Sequence, residues 1–215
     1  MAETIFIGVD EAGRGPLFGR VYASACVLPS LDDPTFDFTL IKDSKKFTSE
    51  KKIKNVYDYI REHSIAYAYE YSDEKLIDEI NILQATQRAM HGSVKKVIQY
   101  LIDTLDNFDI NNVKLLIDGN YFNEITYFWN GELHVLNHQC VVGGDDLHKC
   151  IGAASIIAKV ERDEYIKEIC NENDDLNDKY GLLKNKGYGT KQHIEGIRTH
   201  GYSKFHRASF KIKKI

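Results

Sequence analysis

No apolar run in this chain approaches the ~18 residues that a membrane-spanning helix needs, so a spanning segment is not expected. The early run "TIFIGV" is too short, and lacks the basic flank, for a secretory signal, and a cytosolic or nuclear protein is expected. Cysteine is sparse. Cys26, Cys140, Cys150 and Cys170 lie far apart with no C-x-x-C pair, which speaks against a zinc site or a disulfide framework and for buried free thiols. Internal repeats and low-complexity segments are missing too. What remains is 215 residues, 43% apolar and 28% charged, enough to bury one core.

A strong net charge is also lacking, since 28 Lys and Arg nearly offset 32 Asp and Glu to leave −4. That total hides an asymmetry. Residues 181–215 carry nine Lys and Arg against the single acid Glu195, so the first 180 residues stand at −12. A second basic cluster, "KDSKKFTSEKKIK" (42–54), has six lysines and two acids. An acidic body with two basic patches suits a polyanion held near an acidic site.

Hydrophobic periodicity outlines an α/β domain. "TIFIGVD" predicts a buried strand, and "VYASACVL" (21–28) a second, antiparallel to it because the connection is short. The stretch 48–64 opens with a Thr/Ser cap and spaces Ile53, Val56, Tyr57 and Ile60 as one helical face. "IAYAYEY" (65–71) alternates as a third strand, and helices are expected over about 73–104. "VKLLID" (113–118) and "LHVLNHQCVV" (133–142) predict the fourth and fifth strands, followed by helices over about 148–172 and 190–200. Three strands in a meander and then helix–strand units imply a mixed sheet.

Three of these strands end in acids. Asp10 and Glu11 follow the first, Asp118 the fourth, and Asp145 or Asp146 the fifth. Functional groups of open α/β sheets gather beyond the carboxyl ends of the strands, so parallel placement of these strands would bring the carboxylates together. Clustered carboxylates repel unless a cation sits among them. Oxygen ligands suit Mg²⁺ or Mn²⁺, and two such ions about 4 Å apart can serve the attacking water and the leaving oxygen of a phosphodiester. The turn "AGRGP" lets the backbone approach a substrate. It is not a dinucleotide fingerprint, for it lacks the G-x-G-x-x-G spacing and leads into a strand.

The motifs "GVDEAGRGPLFG", "DSKKFTSEKK", "IDEINILQAT", "LLIDGN", "GAASIIAKVERD", "NKGYGT" and "HRASF" resemble, in order, those of ribonuclease HII, the type 2 ribonuclease H family, from about residue 7 to 210. The resemblance implies a ribonuclease H-like fold: a five-stranded mixed sheet flanked by helices, with a C-terminal helical extension. Residues 1–180 would form the catalytic domain, and 181–215 a basic extension contributing to substrate binding. It further implies an endonuclease that cleaves the RNA strand of RNA–DNA hybrids, and a cytoplasmic monomer is expected. Such an enzyme also nicks 5′ of ribonucleotides embedded in DNA, supporting ribonucleotide removal and RNA primer processing.

Matched position by position, the resemblance places the metal-site acids at Asp10, Glu11, Asp118 and Asp145, holding two Mg²⁺ or Mn²⁺ ions during catalysis. The family commonly shows Lys-Gly-Asp at the fourth acid where this chain has "GGDD", and counting back from "AAS" selects Asp145 over Asp146. Gly13, Arg14 and Gly15, with Tyr188, would recognise the ribonucleotide 2′-hydroxyl, the group that separates RNA from DNA. Ser44, Lys45 and Lys46 match the family's phosphate-contacting loop. Asp163 matches a position of the family's motif, with a salt bridge to Lys159 one helical turn earlier as the competing structural role, and Glu161 replaces a common Thr near the path expected for the duplex. His193, His200 and His206 are read as surface or core residues and not ligands. Two other functions compete: a general hybrid-directed ribonuclease H or a resolvase of the same superfamily, and a nucleic-acid binding protein with a decayed site.

Overall fold

The computed structural model describes residues 4–42 and 44–212; Asp43 of the first basic cluster and Lys213 and Lys214 of the second lie outside the described residues. Strand β1 (Ile5–Ala12) pairs antiparallel with β2 (Val21–Val27), Gly8 facing Cys26 and Asp10 facing Ser24. Helix α1 (Glu50–His63) starts at Ser49, whose side chain accepts from the Lys52 amide. Strand β3 (Ala66–Ser72) then adds antiparallel to β2.

Helix α2 (Glu74–Thr104) is broken at Asn81, where φ is +68°. The Asn81 side chain accepts from the amides of Leu83 and Gln84 and so caps the helix that resumes there. Strand β4 (Val113–Asp118) lies parallel to β1 with Val9 beside Ile117.

The expected single strand over 133–142 is corrected by the structure. Strands β5 (Thr126–Trp129) and β6 (Glu132–Val135) form a separate hairpin, and only β7 (Asn137–Val141) joins the main sheet, parallel to β4. The hairpin turn is Asn130-Gly131, both at positive φ, the Asn-Gly signal that favours a two-residue turn. The five-stranded sheet has the order β3-β2-β1-β4-β7.

Helix α3 (Gly144–Leu147) leads into α4 (Lys149–Glu172). The two faces of the sheet are then closed. On one, Ile7, Val9 and Ala25 pack with Met90, Val94 and Val97 of α2. On the other, Cys26 packs with Val56 and Ile60 of α1 and Ala153 and Ile157 of α4. Each fully buried aliphatic side chain stabilises the fold by roughly 1.5–3 kcal/mol. Helix α4 lies so close to β1 that a Cβ on Gly8 would sit 2.1 Å from the Cys150 carbonyl carbon. Glycine at that position is what lets the start of α4 rest on the strand bearing Asp10.

Helices α5 (Leu176–Tyr180), α6 (Leu182–Asn185) and α7 (Lys191–His200) are the last helices among the described residues. They pack on the turn between β1 and β2 through Phe18, Tyr180, Leu182 and Ile197. All four cysteines are free, but only Cys26 and Cys170 are buried; Cys140 and Cys150 are half-buried, because their positions fall at the sheet edge and at the start of α4.

Candidate active site

Parallel pairing of β1 and β4 sets Asp10 and Asp118 one step beyond the Val9–Ile117 pair, at the carboxyl ends of adjacent strands. Asp10 is 5% exposed. Burial, then the charges of Glu11 and Asp118, hold its carboxyl well above the usual carboxylate range, while a hydrogen bond from Ser155 opposes them. The Glu11 amide donates to Asp10 Oδ1 at 2.6 Å. Glu11 is also raised, first by burial, and is partly relieved by Arg14, whose Nη1 is 3.2 Å from Oε1. Asp118 Oδ1 accepts the Gly144 amide at 2.8 Å, which ties β4 to the turn carrying Asp145.

The two acids of that turn face different ways. The Asp145 side chain is 10% exposed, with Lys45 Nζ 3.7 Å from Oδ2, whereas Asp146 is 51% exposed and held by Lys46 at 2.5 Å. Asp10, Glu11 and Asp118 thus lie within electrostatic reach of one another, with Asp145 one turn away. Among the described residues no three His, Cys, Asp or Glu side chains are gathered so as to enclose an ion; Glu11 meets Arg14 and Asp118 meets the Gly144 amide.

Ser44 does not stand with its lysines on the surface. It is buried, its Oγ 3.0 Å from Ser155 Oγ, so Ser44, Ser155 and Asp10 form one chain. Tyr188 lies beside the Gly13–Gly15 turn, its ring 3.5 Å from where a Gly15 Cβ would sit, and is half exposed. Both groups expected to sense the sugar therefore share one surface.

Two arginines whose role was not legible in the sequence build that surface. Arg207, fully buried, donates to the carbonyls of Gly13, Arg14, Pro16 and Gly19 at 2.7–3.0 Å. Burial, then the charge of Arg162, pushes its pKa down to about 9. Arg162 donates to Lys186 O at 2.8 Å and to the carbonyls of Phe18 and Arg20. It also fills the space where a side chain on Gly13 (φ +95°) would go, 2.1 Å from that Cβ. The motifs "KVERD" and "HRASF" held both residues, but nothing local distinguishes an arginine for carbonyls from one for phosphates.

Arg207 is thereby removed from the basic residues open to a polyanion, and Lys186 is paired with Glu50 at 2.9 Å. The Lys159–Asp163 pair forms at 2.6 Å. Glu161 accepts from the Tyr57 hydroxyl, so its charge is engaged within the fold. His193 and His206 are buried and His200 is exposed.

A mixed sheet in the order β3-β2-β1-β4-β7, with acids at the carboxyl ends of β1 and β4, defines the chain as a protein of the ribonuclease H-like fold. The structures it resembles agree: ribonuclease HII of Archaeoglobus fulgidus, in complex with PCNA, has a TM-score of 0.67 at 19% identity over 98% of this chain and 97% of that one. Bst-RNase HIII, in complex with Mn²⁺, has a TM-score of 0.62 at 21% identity over 93% of this chain and 64% of that one. The ribonuclease HII family model matches residues 7–213. A curated ribonuclease HII of Francisella philomiragia is 40% identical over 207 residues, 96% of each chain. The chain belongs to the ribonuclease HII family, and so to the ribonuclease H class of nucleases.

Proposed function

We propose that the chain is an endoribonuclease that cleaves the RNA strand of RNA–DNA hybrids and nicks duplex DNA 5′ of an embedded ribonucleotide, leaving 5′-phosphate ends. The observation that carries this reading is the buried carboxylate Asp10, near the carboxyl end of β1 and shortly before the turn that Tyr188 flanks.

Asp10, Glu11, Asp118 and Asp145 would hold divalent ions. An Asp10 raised first by burial and then by like charges, and without a cationic partner among the described residues, fits that use, and the similar Bst-RNase HIII was solved with Mn²⁺. Two Mg²⁺ or Mn²⁺ ions, when bound, supply a water of lowered pKa and neutralise charge on the leaving oxygen.

The protein's own groups do the rest. Ser155, backed by Ser44, orients Asp10. Arg14 relieves the charge of Glu11 until an ion does so. The Gly13–Gly15 backbone, held by Arg207, meets the sugar, and the Tyr188 ring stacks beside it. Lys45 and Lys46 would turn from Asp145 and Asp146 toward phosphates of the duplex, and residues 181–215 would add affinity. On this reading the enzyme works as a cytoplasmic monomer. Among the described residues no helix is long and apolar enough to cross a membrane.

The test is cleavage of a duplex holding one ribonucleotide, against all-DNA and continuous-hybrid duplexes, with and without Mg²⁺. Metal-dependent cuts at the ribonucleotide and in the hybrid are expected. Cutting of all-DNA, or cutting in chelator, would overturn the proposal.

A further inference from the structure

Behind Tyr188 lie two buried histidines that the site as described does not use. His193, on α7, and His206, in the turn before Arg207, bring their Nε2 atoms to 3.1 Å. Neither Nε2 can be read alone, but the outer nitrogens decide the pair. The Ser203 amide, which can only donate, is 2.9 Å from His206 Nδ1, so that nitrogen is an acceptor. The Ser203 hydroxyl lies at the same distance from it. The His206 proton therefore sits on Nε2 and is donated to His193 Nε2. His193 keeps its own proton on Nδ1, which donates to the Tyr188 carbonyl at 3.0 Å.

Only this neutral arrangement satisfies every contact, because a proton added to either ring sets two N–H groups face to face. Burial, which lowers the pKa of both rings, acts in the same sense.

The relay joins three segments. Leu17, beside the Gly13–Gly15 turn, donates to Gly187 O and accepts from the Arg207 amide, both at 2.9 Å. His206 pairs across to Phe18 by a backbone bridge. Tyr188 O also accepts the Thr190 amide at 2.7 Å, so this carbonyl is held both from within the turn and from His193.

We propose that His206 and His193 are positioning residues, a directional pair of neutral imidazoles that fixes the Tyr188 turn against Gly15 and so sharpens cleavage at a lone ribonucleotide. The second half rests on the reading of Tyr188 given above. His193 touches no substrate; it acts through the Tyr188 carbonyl.

The experiment compares two replacements of one ring. His193→Asn keeps an N–H near the Nδ1 position and can still donate to Tyr188 O. His193→Gln puts its amide near the Nε2 position, meets His206 and releases Tyr188. Simple filling of the core would favour the larger Gln. Positioning predicts that His193→Asn retains lone-ribonucleotide cleavage within about threefold, while His193→Gln loses about tenfold relative to the continuous hybrid, the worth of one buried hydrogen bond.

Two readouts stand apart from activity. Two-bond proton–nitrogen spectra of ¹⁵N-histidine wild-type protein should show His206 protonated at Nε2 and His193 at Nδ1; the opposite tautomers, or a charged ring at neutral pH, overturn the relay. Amide exchange at residues 188–190 should quicken in His193→Gln and not in His193→Asn, and equal exchange in both also overturns it. If Tyr188→Ala cuts a lone ribonucleotide as wild type does, the sensing role of Tyr188 is overturned, and the exchange and tautomer data still decide the relay.

Discussion

Arg207 Nη2 donates to the Gly13 carbonyl at 2.7 Å across 194 positions of sequence, so the end of the chain holds the turn that follows β1. The guanidinium forks to three more carbonyls of the same turn. Arg207→Lys retains the charge and loses the fork, leaving buried carbonyls unpaired. A destabilisation of about 3 kcal/mol is expected in urea unfolding, with a fall in lone-ribonucleotide cleavage greater than that in hybrid cleavage. Equal stability of the two proteins would show that the turn does not need the fork.

Asp10→Asn separates chemistry from folding. The raised Asp10 carboxyl means that the folded state resists its charge, so the amide should raise the thermal midpoint in chelator. Turnover should fall at least about a hundredfold. Mg²⁺ should raise the midpoint of the wild-type protein and leave that of the variant nearly unmoved. A variant that keeps more than about a tenth of wild-type turnover would remove Asp10 from the metal site.

The buried histidines give stability a defined pH dependence. Burial, then His193, pushes His206 down to about 4, against about 6.5 in an unfolded chain. Between those values the unfolded state binds more protons, so stability rises with pH. It should be complete above about pH 6.5 and decline as pH falls toward 4, by on the order of 3 kcal/mol for this ring. Urea midpoints of the wild-type protein and His206→Phe at about pH 7 and about pH 4.5 would check this, the variant giving the flatter profile.

Gly8→Ala should cost more than 3 kcal/mol. Its Cβ would meet backbone atoms of Cys150 and Ile151 at 2.1–2.4 Å, and backbone cannot step aside as a side chain can. The displaced α4 carries Ser155, so Asp10 would lose its orientation and turnover would fall with stability. A midpoint within about 0.5 kcal/mol of wild type would show that α4 can ride over the strand.

Tyr188→Ala should impair cleavage at a lone ribonucleotide by roughly ten- to a hundredfold and cleavage of a hybrid by less, because neighbouring sugars can help hold a continuous hybrid in register. With the ring half exposed, the thermal midpoint should change little. An equal loss on both substrates, or a matching loss of stability, would assign Tyr188 to the scaffold.

The sequence by itself determined whatever is local or periodic. Apolar runs marked β1 and β4, alternation marked β2 and β3, the spacing of Val56, Tyr57 and Ile60 marked α1, and the acids after the apolar runs marked the strand ends where a site could form. The run 133–142 misled because hydrophobic alternation does not say which sheet a strand joins; residues 133–135 pair with β5 and 137–141 with β4. Tertiary structure alone decided what each polar group meets. Arg207 read as one more cation of a basic tail and proved to be an interior brace. Ser44 read as a phosphate contact and is buried against Ser155, and His193 and His206 became a pair. The physical reason is that a formal charge or hydroxyl is a property of one residue, whereas its partner comes from a distant segment that only packing brings within hydrogen-bond range.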